Sequence, residues 1–272
     1  MLTIGSLFSG IGGLELGIEA GLAAAGYPAQ TIWQVEQDEY CRAVLARHWP
    51  HAHRYTDVTT LNPSSLAAVD IVCGGFPCQD ISNAGNGAGI HGARSGLFYE
   101  MAALVRHLRP QLWIMENVAD LYVRGLDDVL GTVAALGYDA RWGSLRASAV
   151  GAPHRRERWF CVAWVADRLS IGLEGEHQAG TAAPTAHREN RAPQPRPAQS
   201  GMGRDAHGLP GRLDGHRWPA PPGPHQHSYE PPRTHPRQPT DKQRLRALGN
   251  AVVPQQAAVI GRWVGEHLLE RP

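Results

Sequence analysis

The stretch that decides the fold is residues 2–14, which read LTIGSLFSGIGGL. Its first half is a short apolar strand. Its second half is a glycine-rich turn leading into a helix through Glu15 and Ile18, which we predict to end near Gly21. Glycines in such a turn let backbone N–H groups approach a ligand at the N-terminus of the helix. The stretch predicts the first βαβ unit of a nucleotide-cofactor domain, although a glycine turn whose spacing is not GxGxxG is a weak signal by itself.

Three further apolar runs predict buried strands with functional candidates at their carboxyl ends. Residues 31–35 end before Glu36, residues 69–73 precede the sequence GGFPCQ at 74–79, and residues 112–115 precede Glu116. Open α/β sheets bind ligands at the carboxyl ends of their strands. An acid about 20 residues after a glycine turn is placed to accept hydrogen bonds from a ribose diol. The alternative for Glu36 is an acid at the N-terminus of the helix that follows.

Cys78 lies between Pro77 and Gln79, just beyond the end of a predicted strand. Such a cysteine is placed as a nucleophile, but a lone cysteine is also often a small buried hydrophobe. The chain has four cysteines with neither a CxxC pair nor metal-ligand spacing, which predicts reduced thiols and a cytosolic protein. We interpret the other three as packing residues: Cys41, Cys73 and Cys161.

The remaining predicted elements are further helices and strands. Helices are predicted at residues 97–108 and 126–136, and a C-terminal helix is predicted after Pro254. Two strands, at 140–148 and 158–165, flank an arginine-rich turn. No apolar run reaches the ~18 residues that a membrane span needs, and the N-terminus does not read as a secretion signal.

The middle of the chain differs in composition from both ends. Residues 80–96 contain five glycines and predict a closing lid. Residues 1–166 carry 12 arginines and 15 acids, whereas residues 167–272 carry 14 Lys+Arg and 10 acids. Arginine suits phosphate groups and guanine edges, so we expect an anionic polymer to bind the C-terminal part. We therefore predict a catalytic and cofactor-binding domain of residues 1–166 plus 243–272, and a short target-recognition region, rich in Pro, His and Arg, at 167–242.

Taken together and in this order, the motifs resemble those of the DNA (cytosine-5)-methyltransferase family. The likeness covers residues 3–166 and 243–268. It rests on FSGIGGL at 8–14, Glu36, GGFPCQ at 74–79, Glu116-Asn117-Val118, RER at 156–158 and GNAVVP at 249–254. The resemblance implies an α/β fold with a doubly wound, mostly parallel, Rossmann-like sheet and a small irregular DNA-recognition insert. It also implies methyl transfer from S-adenosylmethionine to C5 of a flipped cytosine in double-stranded DNA, through a covalent bond between cysteine and C6.

The resemblance also assigns roles to individual residues. Cys78 would be the nucleophile, Glu116 would protonate N3 of the base, and Arg158, or next Arg156, would stabilise charge at O2. The cofactor would contact Phe8, Gly10, Ile11, Gly12, Gly13, Leu14, Glu36, Gln37, Asp57, Val58, Gly75, Pro77, Asn250, Ala251 and Val252. Candidates for DNA contact are Gln79, Ser82, Arg94, Arg212 and Arg217.

Three positions depart from the family pattern. Ser6 stands where an acid is common, Gln37 replaces an apolar or aromatic residue, and His154 stands where glutamine is usual. We expect no metal and no membrane partner, and a monomer, because one target base asks for one active site. Whether a cognate restriction endonuclease exists is left open by the sequence. So are two other functions: methylation of transfer RNA, and non-catalytic binding of S-adenosylmethionine or DNA.

Overall fold

The computed structural model describes residues 1–77, 96–166, 218, 228 and 238–269. The main elements of these residues follow in chain order: β1 (Leu2–Leu7), α1 (Gly13–Ala24), β2 (Ala29–Val35), α2 (Glu39–His48), β3 (His53–Tyr55), β4 (Ile71–Gly75), α3 (Leu97–Leu108), β5 (Leu112–Val118), α4 (Leu121–Arg124), α5 (Leu126–Ala135), β6 (Tyr138–Arg146), β7 (Glu157–Val165), α6 (Asp241–Asn250) and α7 (Pro254–His267). Short 3-10 turns lie at Val58–Thr60, Pro63–Ser65 and Ala147–Val150.

The strands of the described chain form one seven-stranded sheet in the order β3-β2-β1-β4-β5-β7-β6. From β3 to β5 every neighbouring pair is parallel, whereas β7 is antiparallel to both β5 and β6. The chain moves outward from β1 to β3, returns to β4 beside β1 and then continues to the other edge. This topology confirms the predicted doubly wound, mostly parallel α/β fold.

Helices cover both faces of the sheet. On one face, α1 and α7 bury Ile18 and Val264 against the strand residues Ile4 and Ile114. On the other face, Phe98 of α3 and residues of α5 pack against Trp113, whose side chain is fully buried. A sheet covered on both faces explains why its central strands are apolar runs in the sequence without polar alternation. No helix among the described residues is long and apolar enough to cross a bilayer.

Most predicted elements are present, with shifted ends. The helix at residues 97–108 has the predicted bounds, and the predicted pair of C-terminal strands is β6 and β7. The prediction for the third strand was two residues too early, since β4 runs through the glycine pair to Gly75. Helix α1 does not end near Gly21, as predicted, but continues to Ala24. Helices α4 and α6 were not predicted.

The glycines in α1 are packing positions, which is why Gly21 does not end the helix. A Cβ atom placed on Gly21 would overlap the carbonyl oxygen of Ala258, and one on Gly17 would overlap that of Pro254. From the other side, a Cβ atom on Gly261 of α7 would lie 2.6 Å from the carbonyl oxygen of Ile18. The absence of these side chains therefore brings the backbones of α1 and α7 into close contact.

We expect Gly21→Ala to destabilise the protein by ~1–3 kcal/mol, because the added methyl group forces two packed helices apart. The free energy of unfolding, measured by urea denaturation, tests this expectation.

Gly131→Ala is the matched control. Gly131 also lies inside a helix, α5, but beyond the backbone of that helix no atom lies within 4 Å of where its Cβ would be. Because alanine is the better helix former, we expect this variant to be as stable as the wild type or more stable by up to ~1 kcal/mol. Equal effects of the two substitutions would contradict the packing role of Gly21.

Candidate active site

A cavity opens at the carboxyl end of the sheet, where the predicted cofactor residues meet. It is a small cavity with a volume of about 50 Å³. Its walls come from the end of β1 and the turn after it, from the ends of β4 and β5, and from the loop between α6 and α7. The lining residues are Ser6, Leu7, Phe8, Ser9, Gly10, Leu14, Glu15, Gly75, Glu116, Asn250, Ala251 and Val252. Eight of the predicted site residues are therefore brought together here.

The turn between β1 and α1 has an unusual backbone. Phe8, Gly10 and Gly12 all have positive φ angles, of 56°, 55° and 86°. Positive φ is strained for a residue with a side chain as large as phenylalanine, and such strain is concentrated at functional sites. The position of a Cβ atom on Gly10 meets nothing within 4 Å, so the turn leaves open space beside its backbone. The Phe8 ring is partly buried against the core.

Glu36 lies directly after β2 and holds this turn from the side. Its Oε2 accepts a hydrogen bond of 2.7 Å from the backbone N–H of Gly10, and its Oε1 accepts one of 2.8 Å from Asp38. Each carboxylate oxygen retains further acceptor capacity, so these bonds orient the group without exhausting it. Gln37 is exposed, and its carbonyl oxygen accepts a bond from Arg42.

Asp57 and Val58 lie at the end of β3, on the same side of the sheet as Glu36. The Asp57 carboxylate accepts hydrogen bonds from the N–H and hydroxyl groups of Thr59, so it caps a 3-10 turn. Val58 is buried in the cluster against which Phe8 packs. The observed role of Asp57 is thus that of a cap, and its contact with the cofactor stays a prediction.

Glu116 and Arg158 form a buried ion pair at the end of β5. The Arg158 Nε atom lies 2.9 Å from Glu116 Oε1. The antiparallel register places Arg158 opposite Val118, two residues beyond Glu116, so both charged side chains lie on one face of the sheet. Burial raises the pKa of Glu116 to about 7, although Arg158 and Arg156 act in the opposite direction. The carboxyl group can thus exist protonated near neutral pH.

Gly75 makes room for this carboxyl group. A Cβ atom on Gly75 would lie 2.6 Å from Glu116 Oε2, closer than real Cβ contacts come. The glycine was predicted only as a cofactor contact; the structure shows in addition that it lets β4 and β5 bring Glu116 to the cavity.

Arg156 has a different environment from Arg158. Its two terminal nitrogens donate hydrogen bonds of 2.8 Å to the carbonyl oxygens of Gly249 and Ala251. Gln256 supports the arrangement by donating to the carbonyl oxygens of Leu145 and Arg156. The arginine therefore fixes the loop between α6 and α7 at the cavity wall, while Arg158 is the arginine beside the acid.

Two of the polar residues at the site had no predicted role. Asn117 donates from its amide nitrogen to the carbonyl oxygen of Phe76 at 3.1 Å, and so holds the chain just before Pro77. Glu15 lines the cavity from the first turn of α1, although its side chain is fully buried. In the sequence, the position of Asn117 within Glu116-Asn117-Val118 could have indicated its role. Glu15 carried no such signal, because an acid is common in the first turn of a helix.

Several predicted residues lie outside the described residues. They are Cys78, Gln79, Ser82, Arg94, Arg212 and Arg217. Pro77 is described and leads directly to the first of these. Trp218 is also described, and it lies beside Gly151 and His154 in the turn before β7. Within the described part of the chain, no three side chains of His, Cys, Asp or Glu are grouped so that they could hold a metal ion.

The chain is similar in sequence to known proteins. The chain is 34% identical over 160 residues to the type II methyltransferase M.NgoBI of Neisseria gonorrhoeae, covering 57% of this chain and 48% of that protein. It is 33% identical over 166 residues to the type II methyltransferase M2.BsuMI of Bacillus subtilis, covering 58% and 41%. Both relatives are matched over less than half of their own length.

A solved structure has a similar fold. The chain superimposes on the crystal structure of a Dnmt2 variant from Spodoptera frugiperda with a TM-score of 0.52, covering 65% of this chain and 54% of that one. At 19% identity this likeness concerns the fold alone.

The pattern that describes the family of C-5 cytosine-specific DNA methylases matches residues 2–205, three quarters of the sequence. The matched range contains the glycine turn, Glu36, the Glu116–Arg158 pair and the strands that position them. On this match and this geometry, the chain belongs to the C-5 cytosine-specific DNA methylase family.

Proposed function

We propose that this chain is a DNA (cytosine-5)-methyltransferase that uses S-adenosylmethionine and acts on a cytosine flipped out of double-stranded DNA. The observation that carries the proposal is the buried Glu116–Arg158 pair, which lies at the cavity and across from Gly75, three residues before Cys78. A protonatable acid beside a fixed cation suits a reaction that builds negative charge on a polar ring.

The residues of the cavity fit the proposed cofactor. The open space beside Gly10 leaves its backbone accessible, and Glu36 is held in place by two backbone N–H groups. Glu36 would accept hydrogen bonds from the ribose, and Asn250 to Val252 would close the methionine side. S-adenosylmethionine would supply an electrophilic methyl group to this site.

The protein's part in the reaction follows from its side chains. The Cys78 thiolate would add to C6 of cytosine, forming a C–S bond while Glu116 gives its proton to N3. These two events make C5 nucleophilic, and Arg158 would stabilise charge at O2 of the ring. Transfer of the methyl group to C5 would release S-adenosylhomocysteine. Loss of the C5 proton to a base, return of the N3 proton to Glu116 and cleavage of the C–S bond would then restore the aromatic ring and the thiolate.

The DNA-binding part of the proposal rests on the sequence. We propose that residues 167–242, with Gln79, Ser82 and Arg94, contact the duplex and occupy the space left by the flipped base. Each methylation event involves one target base and therefore one active site, so we propose a monomer. We also propose a cognate restriction endonuclease and, because the relatives described above are type II methyltransferases of bacteria, a bacterial setting.

A trapping experiment tests the function and separates it from its alternatives. We expect a covalent adduct with a 5-fluorocytosine duplex in the presence of S-adenosylmethionine, because fluorine at C5 blocks the proton loss that releases the enzyme. The adduct is measured as a shifted band on a denaturing gel. Cys78→Ser should abolish it.

The other outcomes of this experiment each identify a different function. An adduct with RNA and none with DNA would make the chain an RNA methyltransferase. No adduct with either nucleic acid would indicate a protein that binds S-adenosylmethionine or DNA without catalysis. An adduct that persists in Cys78→Ser would remove Cys78 as the nucleophile.

The pKa of Glu116 leads to a second prediction. Since the raised pKa of about 7 belongs to a group that must donate a proton, the single-turnover rate should fall as the pH rises above about 7. Thiol ionisation should limit the rate at low pH, which makes the profile bell-shaped. Glu116→Gln should lower the rate by ~10²–10⁴ and remove the alkaline limb.

Glu157→Gln is the control for this prediction. Glu157 is adjacent to Arg158 in the same strand, but it pairs with Arg146 on the surface, with the two side chains 36% and 63% exposed. We expect its rate and pH profile to match the wild type. An alkaline limb that survives in Glu116→Gln would assign that ionisation to another group.

A further inference from the structure

Glu15 is a buried acid without a charged partner. Its side chain is fully buried in the first turn of α1, no hydrogen bond of good geometry reaches either carboxyl oxygen among the described residues, and the donors beside it are the neutral hydroxyls of Ser6 and Ser9. Burial of an unpaired carboxylate costs free energy unless it is protonated or meets a cation. Accordingly, burial raises the pKa of Glu15 to about 7, and the nearby hydroxyls of Ser6 and Ser9 only partly oppose this.

The groups facing Glu15 do not supply the missing charge. Ser6 and Ser9 approach from β1 and the turn after it, and the Ser9 hydroxyl donates to that of Ser6 at 2.8 Å. Glu19, one turn further along α1, adds a second negative charge, and Cys73 of β4 is a buried thiol. Among the described groups that perturb Glu15, none is a cation.

The unpartnered acid lies at the cavity. Glu15 lines it together with Ser6 and with Asn250, Ala251 and Val252, on the side where we propose that the methionine part of the cofactor lies. Glu36, the proposed ribose ligand, holds the backbone of Gly10 on the other side of the glycine turn. A carboxylate is thus placed where the ligand carries its positive charges.

We propose that Glu15 binds the α-ammonium group of S-adenosylmethionine and is thus a cofactor-binding residue. The inference rests on the proposed function for the identity of the cofactor. Of the two cations in that molecule, the ammonium has N–H donors, whereas the sulfonium has none. A carboxyl group that faces hydroxyls but no cation is therefore matched by the ammonium. In this chain the negative charge beside the ligand would come from Glu15 on α1, because the residue near the end of β1, Ser6, is neutral.

Equilibrium binding to the full chain, measured by isothermal titration calorimetry at pH 8, tests the inference without any methyl transfer. The three ligands are S-adenosylmethionine, S-adenosylhomocysteine, which keeps the ammonium but lacks the sulfonium, and 5′-methylthioadenosine, which lacks both charges. Glu15→Gln should weaken the first two by an equal factor of about 10 to 100 and leave the third unchanged.

Two further variants act as controls. Glu19→Gln removes an acid from the same helix, but Glu19 binds Thr31 and Trp49, away from the cavity, so all three affinities should be kept. Ser6→Asp combined with Glu15→Gln moves the carboxylate from the helix to the strand and should recover much of the lost affinity.

A pH profile tests the same contact in the unaltered protein. The affinity of the wild type for S-adenosylmethionine should weaken as the pH falls through about 7, because Glu15 becomes protonated. The profile of Glu15→Gln should lack this component. In the unliganded protein, the raised pKa means that folding favours the protonated acid, so stability is lost as the pH rises from 4.5 to about 7. Glu15→Gln should therefore raise Tm more at pH 8 than at pH 5.

The other outcomes overturn the inference in distinguishable ways. Unchanged binding in Glu15→Gln would show that Glu15 is a structural acid, and equal losses for all three ligands would show the same. A loss confined to S-adenosylmethionine would assign the contact to the sulfonium. A wild-type protein that binds none of the three would instead contradict the proposed function.

Discussion

The close approach of α7 to α1 is the contact that completes the cavity. Gly17 and Gly21 on one helix and Gly261 on the other bring the two backbones into close contact. Since α7 begins at Pro254, its position fixes residues 250–252, which form one wall. Arg156 ties the same loop to the strand side of the site through two carbonyl oxygens. The cavity therefore depends on a helix contact that does not itself touch a ligand.

The antiparallel strand β7 positions Glu116, just as α7 positions the cavity wall of residues 250–252. Its register with β5 sets Arg158 beside Glu116, and the glycine at the end of β4 allows the carboxyl group to approach. Burial and the arginine have opposing effects on the acid, and burial is the larger. The pair thus remains able to give up a proton near neutral pH while keeping a cation within contact distance.

Much of this arrangement was predictable from local patterns. Apolar runs ending in Glu36 and Glu116 predicted strands whose carboxyl ends carry the site, and the sheet places both acids at that edge. The sequence could not predict the properties that depend on distant packing. Gly21 was predicted to end α1, because its contact, Ala258, is far away in sequence. The burial of Glu15 could not be predicted, because it depends on how α1 packs.

The dependence of the cavity on α7 has a consequence for protein synthesis. A ribosome making this chain completes the seven strands of the described sheet before it reaches residue 250. Until residues 250–252 have been made, the nascent polypeptide lacks one wall of the cavity. Every wall of the cavity is therefore present only late in synthesis.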